Sequence, residues 1–569
     1  MLLPAPTIVE LFCLRVEADA KSPALGIKRD GQYRWLTWDE VAQQVAQATA
    51  ALVELGVQPG EAVVQVSENR AEWVIADLAI QMAGAVHVPI HPTLAGPQIA
   101  WQIRHCEAKV VLLSGPEQAA KLRACGAVLP PHVRWLSYDA CSESLGDQEV
   151  ASWHKLAAAA DTNCGQDTAC RTRQSVQASD LATILYTSGT TGEPKGVMLS
   201  QGNLASNACA TLAAFGDEPP QLRLNFLPLS HIFARTCDLY VWLAEGSRLA
   251  LAQSRETVLA DCALVRPTSL NGVPYFYDKV YRGLCAKGVQ DQPGIISTAL
   301  GGEIRKCCAG GAALPDHLYE YYLQQGVPIL QGYGLSESSP VITVSTPAHF
   351  RRGSCGRPIP GIEVRLAADG EILSRGPHIM QGYFKNPTAT ADVLTDGWLA
   401  TGDLGRLDDE GFLYITGRKK EILVTSGGKN IAPVFLESLL TEDPLIAQAM
   451  VLGDGRSYLT ALIVPNFDAL QPELEQRGLA QLAREVALVH PDLITLFASR
   501  IHHRLTCVSP HEQVRKFCLI AQAFAIESGE LTPKLSLRRQ PIMARYAREI
   551  ELLYSASGCE NQSGIAADQ

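Results

Sequence analysis

Apolar residues recur at helical spacing from Thr37 to Val57, in TWDEVAQQVAQATAALVELGV, behind a threonine placed to cap the first turn. The pattern then alternates. EAVVQVS (61–67) predicts a strand and AEWVIADLAIQMAG (71–84) a helix; AVHVPI (85–90) predicts a strand, AGPQIAWQIRHCE (95–107) a helix and KVVLLSG (109–115) a further strand. Strands separated by helices of this length imply an α/β fold with a largely parallel sheet and helices on both faces. Residues 140–180 are polar and poorly patterned and read as a surface connection, and LATILY (181–186) follows as a buried strand. From about Gly353 the texture shifts to short runs with Gly and Asp turns, as in GIEVRLAADGEILSRGPHIMQGYF, which predicts a small antiparallel β subdomain. GFLYITGRKKEILVTSGGKNIAP leads from there into a smaller, charged α+β region, and the residues after Ser555 are small and polar, as in a disordered tail.

Length and charge narrow this picture. A chain of 569 residues exceeds what one hydrophobic core usually serves, so at least two domains are expected. A net charge of −11 argues against a general nucleic-acid binder, because phosphate backbones select basic surfaces. The 16 cysteines are scattered without zinc-like spacing, which fits reduced thiols in the cytoplasm. In MLLPAPTIVELFCLRVEADA charges interrupt the apolar content, so an amphipathic first helix is expected rather than a signal peptide, and no apolar run reaches membrane-spanning length. Peripheral contact with the inner face of a membrane, and oligomer formation, stay open.

One stretch breaks the pattern sharply. After LATILY, the ten residues from Thr187 to Gly196 hold three glycines, three threonines and single Ser, Glu, Pro and Lys residues, with no large apolar side chain. Glycine lets backbone N–H groups converge on an anion, and hydroxyls with a lysine add donors and charge; that composition suits a phosphate cradle. It is neither a Walker loop nor accompanied by a GxGxxG dinucleotide motif.

YTSGTTGEPKGVMLS resembles the signature loop of the adenylate-forming (AMP-binding) superfamily, and further motifs of that family follow in order. The resemblance implies that Thr187, Ser188, Gly189, Thr190, Thr191, Gly192 and Lys195 grip the phosphates of ATP. CCAGGAALP resembles the adenine-pocket segment, at Gly310, Gly311 and Ala312. GYGLSES resembles the next motif, with Gly332 and Gly334 flanking Tyr333, which stacks on adenine; Ser336 meets the α-phosphate and Glu337 holds Mg²⁺. GWLATGDLG supplies Asp403 for the ribose hydroxyls and GRKKEI supplies Arg418, with Lys420 at the family's interdomain hinge. LPLSHIFAR places His231 near the acyl substrate, and Gly427, Gly428 and Lys429 fall in the turn the family uses in its thiol step.

The implied architecture is an adenylation domain over 1–418, a mobile C-terminal domain over 419–555 and a tail over 556–569. The implied reaction joins a carboxylic acid to ATP as an acyl-AMP, releasing pyrophosphate, and then transfers the acyl group to coenzyme A. LPLSHIFAR, VTSGGKNIAP and LTPKLSLRR resemble long-chain fatty acyl-CoA synthetases most, which implies a long-chain fatty acid–CoA ligase using ATP, Mg²⁺ and coenzyme A. Two alternatives stand beside it: a fatty acyl-AMP ligase feeding a carrier protein, and a non-catalytic acyl-binding protein on the same scaffold. One departure matters. Long-chain enzymes place their catalytic lysine three residues after the proline of L-T-P, where this chain has Ser536; Lys534, two residues earlier, is the expected substitute, with Arg538 or Arg539 as the alternative source of charge.

Overall fold

The computed structural model describes residues 5–126, 128–187, 194–216, 221–427, 429–525, 528–531 and 537–555. Ser188, Gly189, Thr190, Thr191, Gly192, Gly428, Lys534 and the tail 556–569 therefore lie outside the described residues. The chain divides into two compact units: one of Met1–Ala367, Leu373–Thr401 and Leu407–Tyr414, the other of Ala368–Ile372, Gly402–Arg406 and Ile415–Gln569.

In the first unit the alternating pattern becomes strands Ala62–Val66, Val86–Ile90 and Val110–Leu113 and helices Trp38–Glu54, Ala71–Met82 and Gly96–His105. The helix Trp38–Glu54 opens on a capping box. Thr37 accepts from the Glu40 N–H through its hydroxyl, and the Glu40 carboxylate accepts from the Thr37 N–H, a device typically worth about 1 kcal/mol. The opening helix is Ile8–Asp19, with Ile8, Val9, Leu11 and Phe12 buried. Trp38 stacks on Trp242 with ring centroids 4.2 Å apart, and the Trp242 indole N–H donates to the Ala24 carbonyl, so one aromatic pair joins a helix, a strand and a second helix.

Two large sheets carry this unit. The eight-stranded sheet runs, by spatial order, Gly382–Tyr383, Lys195–Ser200, Leu181–Thr187, Val86–Ile90, Ala62–Val66, Val110–Leu113, Arg134–Ser137 and Ala151–Ser152. It is parallel from Leu181–Thr187 onward and antiparallel at the Lys195–Ser200 and Gly382–Tyr383 end. The nine-stranded sheet is parallel through its middle, from Ile329–Gly334 to Pro23–Arg29, and antiparallel at both edges. The parallel strands are buried on both faces, as helix-covered sheets require.

Two expectations need correction. The segment 140–180 is not a plain connection, for it holds the helices Trp153–Ala159 and Thr162–Ser175. The second helix buries Gly165, Thr168 and Thr172, a stripe of small residues rather than apolar ones. In the region after Gly353, Gly382–Tyr383 is not part of a separate antiparallel element; it edges the eight-stranded sheet beside Lys195–Ser200.

The second unit is built on the strands Ile446–Leu452, Leu459–Pro465 and Val514–Leu519, the first pair antiparallel and the second parallel. Leu436, Leu440, Phe497 and Ile501, from the helices Pro433–Thr441 and Pro491–Arg504, pack into its core. Among the described residues no helix is long and apolar enough to cross a membrane.

Candidate active site

Thr187 ends its strand opposite Lys195, so the two residues form the mouth of the glycine-rich hairpin. The base of that hairpin is held stiffly. Tyr186 Oη lies 2.7 Å from His105 Nδ1, His105 stacks on Trp101 at 4.6 Å, and Phe384 meets the His105 ring edge-on at 5.6 Å. A Cβ at Gly196 would come within 2.8 Å of Ile184 and 3.2 Å of Tyr186, so glycine is what lets this cluster close. The Lys195 ammonium rests 4.8 Å from the centroid of the Tyr383 ring.

Glu337 sits on the short 3-10 turn Ser336–Ser338, directly after the strand Ile329–Gly334 that carries Gly332 and Tyr333. The Ser338 hydroxyl accepts from the Leu335 N–H and donates to the Pro340 carbonyl, and Asn207 pairs with both backbone groups of Val341. Gly334 admits no side chain, since a Cβ there would lie 1.7 Å from the Pro340 oxygen. The Glu337 carbonyl accepts from the Met380 N–H at 2.9 Å, and its Oε1 accepts from the Tyr383 O–H at 2.8 Å. Tyr333 and Ser336 are half-buried on the same strand and turn. Gly310 is buried, with the Phe233 ring 3.3 Å from where its Cβ would stand, while Gly311, at φ +80°, and Ala312 are exposed.

His231 precedes the helical turn Ile232–Ala234 and lies 5.3 Å, ring to ring, from His91. The turn continues into a π-helical segment, Arg235–Tyr240, pinned by two buried charges. Arg235 donates to Asp77 at 2.5 Å and to Thr183 at 2.8 Å, and His87 Nδ1 lies 2.6 Å from the same carboxylate. Burial pushes the Asp77 carboxyl up, but the Arg235 guanidinium and His87 outweigh it and hold it below its ordinary value. Burial, followed by Arg235, brings His87 down to about 4. Asp238 accepts from Asn225 and Asn271, and burial raises it to about 6 against those bonds and Arg223.

The second unit holds the remaining candidates. Asp403 accepts from Arg418 Nε at 3.0 Å. The Gly402 N–H donates to Glu371 Oε1, and Lys419 bridges Asp369 and Glu371 at 2.6 and 2.8 Å. Lys420 is exposed, as are Gly427 and Lys429, whose turn closes through Thr425. Arg539 makes a two-point pair with the buried Glu437, and Arg538 donates to the Gly529 carbonyl, so both arginines near LTPKLSLRR serve contacts inside this unit.

Residues 15–384 match the model of the AMP-binding enzyme family, and residues 420–558 match that of the AMP-binding enzyme C-terminal domain. The chain belongs to the AMP-binding enzyme family. This AMP-binding enzyme is 34% identical to the long-chain-fatty-acid–CoA ligase FadD15 of Mycobacterium bovis, over 92% of this chain and 93% of that protein. It is 28% identical to the long-chain-fatty-acid–CoA ligase ACSBG2 of Xenopus laevis, over 99% of this chain and 85% of that one. Its fold matches the anthranilate CoA ligase AuaEII in complex with anthranoyl-AMP, with a TM-score of 0.76 at 21% identity, covering 97% and 99% of the two chains. A Mycobacterium tuberculosis fatty acyl CoA synthetase matches with a TM-score of 0.63 at 21% identity, covering 96% and 99%.

Within the first unit of this AMP-binding enzyme the structure links Thr187, Lys195 and Glu337, and the link is a residue the sequence reading missed. Tyr383 touches both the lysine and the glutamate. Its only local signal is a glycine before an aromatic residue; the sheet pairing that brings it to Lys195–Ser200 is long-range. Among the described residues no group of three or more His, Cys, Asp or Glu side chains could hold a metal ion by itself. A lone carboxylate beside hydroxyls and a lysine suits Mg²⁺, which keeps waters and takes substrate phosphates as co-ligands.

Proposed function

We propose that this AMP-binding enzyme is a fatty acid–CoA ligase with a long-chain substrate, acting in the cytoplasm through an acyl-AMP. The observation that carries the reading is the Thr187–Lys195 hairpin mouth joined, through Tyr383, to the carboxylate of Glu337. A fatty carboxylate is a poor electrophile because its charge is delocalised and oxide leaves badly. Its attack on the α-phosphorus of ATP expels pyrophosphate and makes AMP the later leaving group, after which the thiol of coenzyme A takes the acyl group. Bound Mg²⁺ supplies charge neutralisation at the phosphates.

The chain's own groups position and stabilise. Thr187, Lys195 and the hairpin N–H groups hold the departing phosphates, Ser336 meets the α-phosphate, and Glu337 binds the metal. Tyr333 stacks on adenine in a pocket lined by Gly310, Gly311 and Ala312. Asp403 and Arg418 take the ribose hydroxyls, and His231 lies beside the acyl group. The charge between carboxylate and α-phosphate comes from Lys534, a reading supported by the engagement of Arg538 and Arg539 elsewhere. Lys420 is the pivot before the thiol step, in which the turn Gly427–Gly428–Lys429 takes part. An apolar tunnel would bind the chain at about 0.8 kcal/mol per buried CH₂.

The test is fatty-acid-dependent pyrophosphate release, with and without coenzyme A, across a chain-length series. Release with thioester formation, strongest for long chains, is expected. Glu337→Gln and Lys534→Ala should each lower release on the order of a hundredfold, with Lys534→Ala still converting pre-made acyl-AMP to thioester. Release without thioester would instead indicate an acyl-AMP ligase, and no release an acyl-binding protein.

A further inference from the structure

Tyr383 stands between two groups of opposite charge that the proposed reaction needs apart. Its O–H donates to Glu337 Oε1 at 2.8 Å, and the face of its ring carries the Lys195 ammonium at 4.8 Å from the centroid. The same segment fixes the glutamate from its other end, because the Met380 N–H donates to the Glu337 carbonyl at 2.9 Å. The tyrosine itself has little freedom. It is buried at 7% exposure, its N–H donates to Thr390 Oγ1, and its strand is bonded to Lys195–Ser200 with Val197 opposite Tyr383. Gly382, at φ +141°, could not carry a side chain there without meeting Thr390 at 2.7 Å.

A lysine and a glutamate that both touch one tyrosine are candidates to pair with each other, and a paired carboxylate is a weaker metal ligand. Among the described residues Lys195 forms no ion pair, and Glu337 Oε2 has no hydrogen-bond partner. One oxygen of the carboxylate is therefore committed to Tyr383, while the other stays open. The ring meanwhile holds the ammonium by its quadrupole, an attraction weak enough to yield to phosphate.

We infer that Tyr383 is a positioning residue for the metal: it orients Glu337 toward Mg²⁺ and keeps Lys195 free for the nucleotide phosphates. The inference rests on the reading of Glu337 as the metal ligand given above.

The experiment measures Mn²⁺ binding by electron paramagnetic resonance, with a non-hydrolysable ATP analogue present, and analogue binding in metal-free buffer. Tyr383→Phe keeps the ring and loses only the O–H. It should weaken Mn²⁺ binding about tenfold, as loss of a hydrogen bond to a charged group does, and leave metal-free analogue binding within about twofold. Glu337→Gln should weaken Mn²⁺ at least as much, and the double variant no further than Glu337→Gln alone. Wild-type Mn²⁺ affinity in Tyr383→Phe, beside a loss in Glu337→Gln, overturns this inference alone. Wild-type affinity in Glu337→Gln overturns the ligand assignment and the inference with it. An equal loss of metal-free analogue binding in Tyr383→Phe would reduce Tyr383 to a structural part. A cycle of Lys195→Met with Glu337→Gln, which leaves Tyr383 in place, gives an independent reading. Their effects on metal-free analogue binding should multiply within about twofold, and strong coupling would mean a direct lysine–glutamate contact and overturn the spacer role.

Discussion

His87, His91 and His378 are imidazoles that the fold keeps neutral. Burial lowers His87 and His91 to about 4, with Arg235 adding to the effect at His87 and Arg255 at His91, and burial brings His378 to about 3. The unfolded chain binds protons at these sites near the ordinary value of about 6.5. Their contribution to stability is therefore present above pH 6.5 and lost as pH falls toward 4, at about 1.4 kcal/mol per pH unit for each site. The melting temperature of the larger unit should fall across that window, and His87→Gln should make the decline shallower; a flat profile would contradict the buried neutral assignment. At this scale the sequence was uneven. The phosphate-binding role proposed for the glycines, hydroxyls and lysine around Thr187 rests on composition, and the roles proposed for Glu337 and Asp403 rest on motifs. Tyr383 declares nothing, because its role depends on two partners at distant positions in the chain.

The helix Thr162–Ser175 shows what periodicity misses among elements. It lies against the helix Trp38–Glu54 so closely that a Cβ at Gly165 would stand 1.9 Å from the Ala46 carbonyl oxygen. Its buried stripe of Gly165, Thr168 and Thr172 lacks the large apolar residues by which an amphipathic helix is usually seen. Gly165→Ala would gain about 1 kcal/mol of helix propensity, yet forcing two backbones apart costs up to about 3 kcal/mol. A net loss of about 2 kcal/mol is expected, read as a lower melting temperature with pyrophosphate release per folded molecule unchanged. A stabilised variant would mean that the helices separate easily. The strand and helix pattern before residue 115, by contrast, was legible, because large apolar residues cover those elements and a capping box marks the start of the helix Trp38–Glu54.

On the scale of the whole molecule, the two units have their own cores. If Lys420 is the pivot, Lys420→Pro, which fixes φ near −65°, should reduce thioester formation from acyl-AMP at least tenfold more than it reduces adenylation. Equal losses in both half-reactions would return Lys420 to a purely structural place. What the sequence determined by itself was the α/β class, the family and the reaction type. Those depend on short contiguous patterns: apolar runs of strand or helix period, and motifs whose chemistry lies in adjacent residues. Tertiary structure alone decided which distant residues meet. It set Gly382–Tyr383 on the edge of the eight-stranded sheet, joined Glu337 to Lys195 through one phenol, and buried Arg235 against Asp77 and His87. The physical reason is that such contacts are selected by long-range pairing and burial, whose energies come from the partner as much as from the residue, and no local pattern records the partner.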